Sequence, residues 1–160
     1  MKCTISELRS DETGLLDDFL YEAIFIPEGE TAPDRSIIQL PELQVYVEEF
    51  GSGPADVCYV AEADDQVVGA AWARIMNDYG HIKDGVPSIA ISLYKQYRGY
   101  GIGAELLQEL LNGLSGLGYG EVSLSVQKAN YAVRLYKKLG FEIYTENDEE
   151  YIMVYHSRKA

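Results

Sequence analysis

Cysteine is nearly missing from this sequence. Only Cys3 and Cys58 occur among 160 residues, which makes no disulfide framework and sets a reduced, cytoplasmic location as the expectation. Long apolar runs are missing too. No stretch approaches the roughly 20 residues of a membrane span, and the opening MKCTISELRSDE lacks the apolar core of a signal peptide. Basic residues are few: 13 Lys and Arg stand against 26 Asp and Glu, a net charge of −13. Nucleic-acid binding and peripheral binding to anionic membranes both need a basic surface, so both classes are disfavoured. There is no internal repeat and no linker rich in Pro, Gly or Ser. What is present is a soluble globular composition, 47% apolar and 24% charged. It fits a single domain over residues 1–160, long enough to build a core without staples.

The acidity is uneven. Residues 1–94 hold 18 acidic and 5 basic side chains, and therefore the whole net charge; residues 95–160 hold 8 of each. Solubility explains acidity in general. It does not explain why the excess stops at Lys95.

Apolar periodicity gives the elements. Strands are expected at Cys3–Leu8, Asp56–Ala63, Gln66–Ile75, Ser88–Tyr94, Glu121–Val126, Phe141–Tyr144 and Tyr151–His156. Helices are expected from about Leu15 to Ile24, over Pro41–Gly51, over Gly101–Leu117 and over Ala129–Leu139. Pro27–Leu40 is a long connection, the kind that carries function or mobility. Strands and helices alternate only in the second half. The pattern predicts an α+β domain with a mixed, mostly antiparallel sheet of six to seven strands and about four helices on its faces.

The most informative segment is Ser88–Leu107, SIAISLYKQYRGYGIGAELL. A strand runs into a turn with Gly99, Gly101 and Gly103, and the turn opens into an amphipathic helix. Glycines let backbone amides approach a ligand, and the first amides of a helix lack internal partners at the positive end of its dipole. This is how a phosphate site is made from main chain. A sharp corner alone explains one glycine but not three. The spacing G-x-G-x-G is not the dinucleotide fingerprint, and G-x-x-x-x-G-K-[ST] is absent.

QYRGYGIG, Gln96–Gly103, resembles the pyrophosphate loop of the GNAT superfamily of N-acetyltransferases. It holds the pattern [QR]-x-x-G-x-[GA] twice in overlap, from Gln96 and from Arg98, the second with the helix in the usual register. A second segment, SLSVQKANYAVRLYKKLGF over Ser123–Phe141, is similar to the family's later motif through Val126, Asn130, Ala132, Tyr136, Gly140 and Phe141. Tyr131 stands where related sequences often have proline. A helix tyrosine is ordinarily a core residue, and this chain has 13 tyrosines. The place of Tyr136 within both motifs is what singles it out.

The resemblance implies a GNAT-like fold and acetyl transfer from acetyl-CoA to an amine by direct attack, with no metal. It implies that Ser88–Tyr94 and Glu121–Val126 splay apart, and that the pantetheine arm lies between them on backbone of Ile91, Ser92 and Leu93. The Leu93 amide would polarise the thioester carbonyl. Amides of Arg98, Gly99, Tyr100, Gly101, Ile102, Gly103 and Ala104 would hold the pyrophosphate. Asn130 would bond the pantetheine or its phosphate side, and Tyr136 would protonate the leaving thiolate. Lys95, Arg98, Lys128, Arg134, Lys137 and Lys138 cluster around the motifs and could offset phosphate charge. For the general base the candidates are Glu22, Glu28, Asp78, Tyr79, His81 and Asp84; His81 reads first as a solvated loop residue, and Trp72 as core. The acceptor side is acidic, through Glu28, Glu30, Asp34, Glu42, Glu48, Glu49, Glu146, Asp148, Glu149 and Glu150. A cationic small molecule or a peptide N-terminus is the expected acceptor. A homodimer is an expectation by analogy, and a binding module for acetyl-CoA without turnover is the other class.

Overall fold

A computed structural model describes residues 2–157. Seven strands form one sheet: β1 (Thr4–Glu7), β2 (Val57–Ala63), β3 (Gln66–Arg74), β4 (Ser88–Leu93), β5 (Glu121–Gln127), β6 (Glu142–Glu146) and β7 (Glu150–His156). Their order is β1-β2-β3-β4-β5-β7-β6, and every neighbouring pair is antiparallel except β4 with β5. Four helices accompany it: α1 (Leu15–Glu22), α2 (Pro41–Gln44), α3 (Ile102–Gly116) and α4 (Ala132–Leu139). The expected mixed α+β sheet is what the chain builds. No described helix is long and apolar enough to cross a membrane.

The sheet is covered on both faces, and this explains the nearly continuous apolar β3. Ala71 and Ala73 face one cluster together with Leu106, Leu107, Leu110 and Leu114 of α3, all fully buried. Ala70 and Trp72 face the other, with Leu16, Phe19 and Leu20 of α1. Each leucine taken from water contributes about 2 kcal/mol. The α3 stripe alone therefore fixes that helix to its face.

The second helix is shorter than its pattern. Pro41 opens it in the first turn, as the sequence predicts, but after Gln44 the chain continues in turns rather than in helix to Gly51. The carbonyls there are claimed by tertiary partners. Trp72 Nε1 donates to the Tyr46 carbonyl at 3.0 Å, and Arg74 donates to the carbonyls of Val45 (3.1 Å) and Glu48 (2.8 Å). Arg74 also forms a buried pair with Asp56 at 3.0 Å, whose Oδ2 accepts from the amides of Gly51 and Gly53. Glu49 then takes φ 49°, which breaks a helical path before Gly51.

One relationship in the sheet positions everything that follows. Strands β4 and β5 are joined by a single pair, Ser88 with Ser123, where the Ser123 amide donates to the Pro87 carbonyl at 3.0 Å. Beyond that vertex they diverge.

Candidate active site

The direction of each backbone group in the opening follows from register. In an antiparallel ladder, residues alternate between those bonded to the neighbour and those facing away. Tyr94 donates to the Val68 carbonyl, so Ser92 and Ala90 also bond β3, opposite Ala70 and Trp72. Ile91 and Leu93 therefore turn their amides toward β5. On the far side, Ser157 bonds Gly120 and Lys128 bonds Glu149, so Val122, Leu124 and Val126 serve β7. Ser125 and Gln127 turn their amides toward β4. Two strand edges thus face each other across a gap without laddering.

That gap is part of a cleft of about 1640 Å³. Among the expected residues, Ile91, Ser92, Leu93, Arg98, Gly99, Gly101, Gly103, Ala104, Asn130 and Tyr136 line it. Ser92 differs from its two neighbours. Its backbone is spent on β3, and its hydroxyl donates to the Phe19 carbonyl at 2.7 Å. It offers no main-chain group to an arm in the gap, and instead ties α1 to β4. Tyr100 is 61% exposed and Ile102 packs its side chain in the core, so only their backbone belongs to the loop.

The glycine loop has the expected construction. Gly99 and Gly101 sit at φ 86° and 84°, a region that favours glycine. Gly101 caps α3, and the first bond inside the helix runs from Glu105 N to Gly101 O at 3.2 Å. The amides of Ile102, Gly103 and Ala104 consequently have no helical partner. They form a main-chain cradle at the mouth of the opening.

The Arg98 side chain is engaged within the protein. Its Nε donates to the Leu93 carbonyl at 3.1 Å, and its Nη2 lies 3.7 Å from Glu22. Lys128 is paired with Glu146 at 2.6 Å and, like Lys137, sits over the Tyr151 ring. Lys95 and Lys138 line the cleft, whereas Arg134 is exposed away from its lining. Asn130 accepts from the Ala132 amide through Oδ1 at 2.9 Å, which starts α4 and leaves Nδ2 as its donor end.

Tyr136 is buried on α4, with its ring 5.8 Å from that of Phe141. Burial pushes its phenol well above the ordinary value near 10. Its hydroxyl has no hydrogen-bond partner among the described residues and is not sealed away as a buried orphan. A neutral donor with a spare proton therefore stands at the cleft.

The acceptor-side candidates divide. Glu22, Glu28 and Tyr79 line the cleft, as do Glu30, Glu42 and Glu150. His81 and Asp84 do not; they lie 4.0 Å from each other, and His81 Nδ1 is 3.2 Å from the Met76 carbonyl. Asp34 caps the turn Arg35–Gln39 through the Ser36 amide. Trp72 is core, as expected. Sequence reasoning missed Tyr46, a buried residue of the cleft wall, because the Pro41–Gly51 helix pattern hid it. Among the described residues, no group of three or more His, Cys, Asp or Glu is placed to hold a metal.

Comparison with known proteins agrees with this geometry. The profile of the acetyltransferase (GNAT) family matches residues 20–141. An N-alpha-acetyltransferase of Sulfurisphaera tokodaii is 33% identical over 111 residues, which is 59% of this chain and 66% of that protein. The PaiA N-acetyltransferase of Thermoplasma acidophilum, solved with coenzyme A, superposes with TM-score 0.72 at 19% identity, over 98% of this chain and 100% of that one. The ribosomal-protein-S18-alanine N-acetyltransferase of Escherichia coli gives TM-score 0.66 at 17% identity, over 99% and 96%.

Proposed function

This chain belongs to the GNAT acetyltransferase family, and on that premise we propose that it moves an acetyl group from acetyl-CoA directly to a primary amine, with Tyr136 as the acid for the leaving thiolate. The observation that carries this reading is the divergence of β4 and β5 after one pair. It leaves the amides of Ile91 and Leu93 facing those of Ser125 and Gln127, with the α3 amides at one end and the free Tyr136 hydroxyl on the wall. An extended arm bearing amides suits such an edge, as an added strand would. A polyanionic tail suits the helix terminus.

Bound acetyl-CoA would supply an activated thioester. The protein's part is positioning and proton handling. The Ile91 and Leu93 amides are donors for charge that develops on the carbonyl oxygen; Arg98 occupies the Leu93 carbonyl and keeps the edge in register. Tyr136 stays protonated at neutral pH and can give its proton to sulfur as the C–S bond breaks. Asn130 presents Nδ2 to the pantetheine or its phosphate side.

The acceptor is a cationic small molecule or a peptide N-terminus. Glu22, Glu28, Glu30, Glu42 and Glu150 line the cleft, and of these only Glu22 has an ion-pair partner among the described residues. The curated relative named above is, by its name, an N-alpha-acetyltransferase. A panel of cationic, neutral and anionic amines, assayed for thiol release at two salt concentrations, tests the assignment. Cationic acceptors should be preferred, and their advantage should shrink at high salt. Preference for neutral acceptors with rates indifferent to salt defeats it. Binding of acetyl-CoA with no thiol release from any amine favours a module that binds without turnover.

A further inference from the structure

Tyr136 is one of two buried tyrosines on the wall of the cleft. Tyr46 is the other, and it reaches the opening from the opposite face of the sheet: Tyr136 packs in the cluster under α3 and α4, Tyr46 in the cluster under α1. Its backbone is held by Trp72, and its hydroxyl lies beside the Asp78 carboxylate and the Tyr79 amide. Asp78 is fixed in turn. Its Oδ1 accepts from Ser88 Oγ at 2.7 Å, and Ser88 is the residue that closes the β4–β5 vertex. Asp78 does not line the cleft itself, whereas Tyr46 and its neighbour Tyr79 do. Asp78 is half-buried, so it keeps contact with water.

Acetyl transfer needs one proton removed from nitrogen and one supplied to sulfur. Groups on opposite faces of the sheet can serve these two needs without exchanging the proton between themselves. The geometry points to Tyr46 and Asp78 as the proton relay for the acceptor amine. As nitrogen bonds to the thioester carbon, one N–H proton passes to the Tyr46 oxygen while the Tyr46 hydroxyl proton passes to Asp78. The electron pair of the breaking C–S bond takes the Tyr136 proton. Asp78 then sheds its proton to water, and Tyr136 regains one from water. Burial first, and Asp78 second, keep the Tyr46 phenol far above its ordinary range. It therefore relays a proton and does not act as a phenolate. Asp78 and Tyr79 are the titratable groups facing the Tyr46 hydroxyl, and no Lys, Arg or His forms an ion pair with Asp78 among the described residues. His81, nearby in sequence, is turned to Met76 and Asp84.

The relay rests on the acetyltransferase reading above, and the test separates the two. Wild type, Tyr46→Phe, Asp78→Asn and the double variant are assayed for thiol release with the best amine of the panel. Acetyl-CoA affinity and Tm are measured alongside. Each single variant should lose about 10- to 100-fold in kcat. The double variant should lose no more than the worse single, as members of one unit do. Affinity and Tm should stay near wild type. Asp78→Glu should recover part of the loss, and the pH profile of Asp78→Asn should follow deprotonation of the acceptor ammonium alone. Wild-type kcat and pH profile in Tyr46→Phe overturn the relay and leave the acetyltransferase reading standing. Loss of affinity and Tm in step with kcat overturns it in favour of a structural role. Wild type that turns over no amine overturns both.

Discussion

The guanidinium of Arg98 donates through Nε to the carbonyl of Leu93 at 3.1 Å, five residues upstream. The first residue of the glycine motif thus closes the last carbonyl of β4 and leaves the Leu93 amide as the group open to the gap. Its other end meets Glu22 at 3.7 Å, so one side chain joins β4, the loop and α1. Arg98→Ala should raise KM for acetyl-CoA about tenfold and lower kcat as the Leu93 amide loses register. Arg98→Lys should recover little, since a lysine lacks the planar fork. Steady-state kinetics with acetyl-CoA varied decides this; an unchanged KM in Arg98→Ala removes the residue from donor positioning.

Tyr136→Phe should lower kcat about ten- to a thousandfold with little change in acetyl-CoA affinity. Pre-steady-state thiol release together with binding titration checks it.

Burial also sets a pH signature for Tyr136. Its folded-state pKa lies above the unfolded value near 10. The neutral form is the one the fold prefers, so its contribution is complete below pH 10 and is lost as pH rises beyond it. Wild type should therefore show no alkaline loss of stability from this residue below about pH 10. The difference between the urea midpoints of wild type and Tyr136→Phe should stay constant below that point and change only above it; a difference that varies with pH near neutrality would contradict it.

The three glycines of the loop are not equivalent. Gly101 holds φ 84°, whereas a Cβ on Gly103 would meet its nearest atom, Leu135 Cδ2, at an ordinary 3.7 Å. Gly103→Ala should fold with Tm unchanged or higher, since alanine favours the helix by about 0.5–1 kcal/mol. Gly101→Ala should weaken acetyl-CoA binding through a displaced loop. Thermal melts and cofactor titration of both variants make the comparison.

The Arg74–Asp56 pair staples the turns after α2 to β3. Arg74→Met should destabilise the fold by about 3–5 kcal/mol, because it leaves Asp56 buried without its cation. Asp56→Asn with Arg74→Met should recover part of the loss in urea unfolding.

Most of the fold is legible because its periods are clean. The β2–β3 hairpin reads as two apolar runs around a polar turn and α3 as an amphipathic helix, and their ends fall within a residue or so of the expectation. The Pro41–Gly51 segment is not legible in this way. Its apolar spacing suits a helix, but Trp72 and Arg74, roughly 26 to 29 residues later, bond its carbonyls, and Glu49 sits at φ 49°. No local signal reports those bonds. At the site, Gly101 and Asn130 stand where the motifs place them. The role of Ser92 depends on strand register, and that of Tyr46 on a helix that ends early. The divergence of β4 and β5 comes from family resemblance alone, since SIAISLY and EVSLSV read as ordinary strands.

That divergence has a mechanical meaning. With one rung, Ser88 to Ser123, between them, β1–β4 and β5–β7 are two panels held together by that rung, by the Ser123 hydroxyl on the Gly80 carbonyl at 2.7 Å and by the core they share under α3, where Ala71 and Ile89 join Val122, Leu124 and Met153 in one cluster. A donor molecule lying in the gap would lace the panels together, and its departure would unlace them. Amide exchange at Ile91, Leu93, Ser125 and Gln127 should therefore slow when acetyl-CoA is bound.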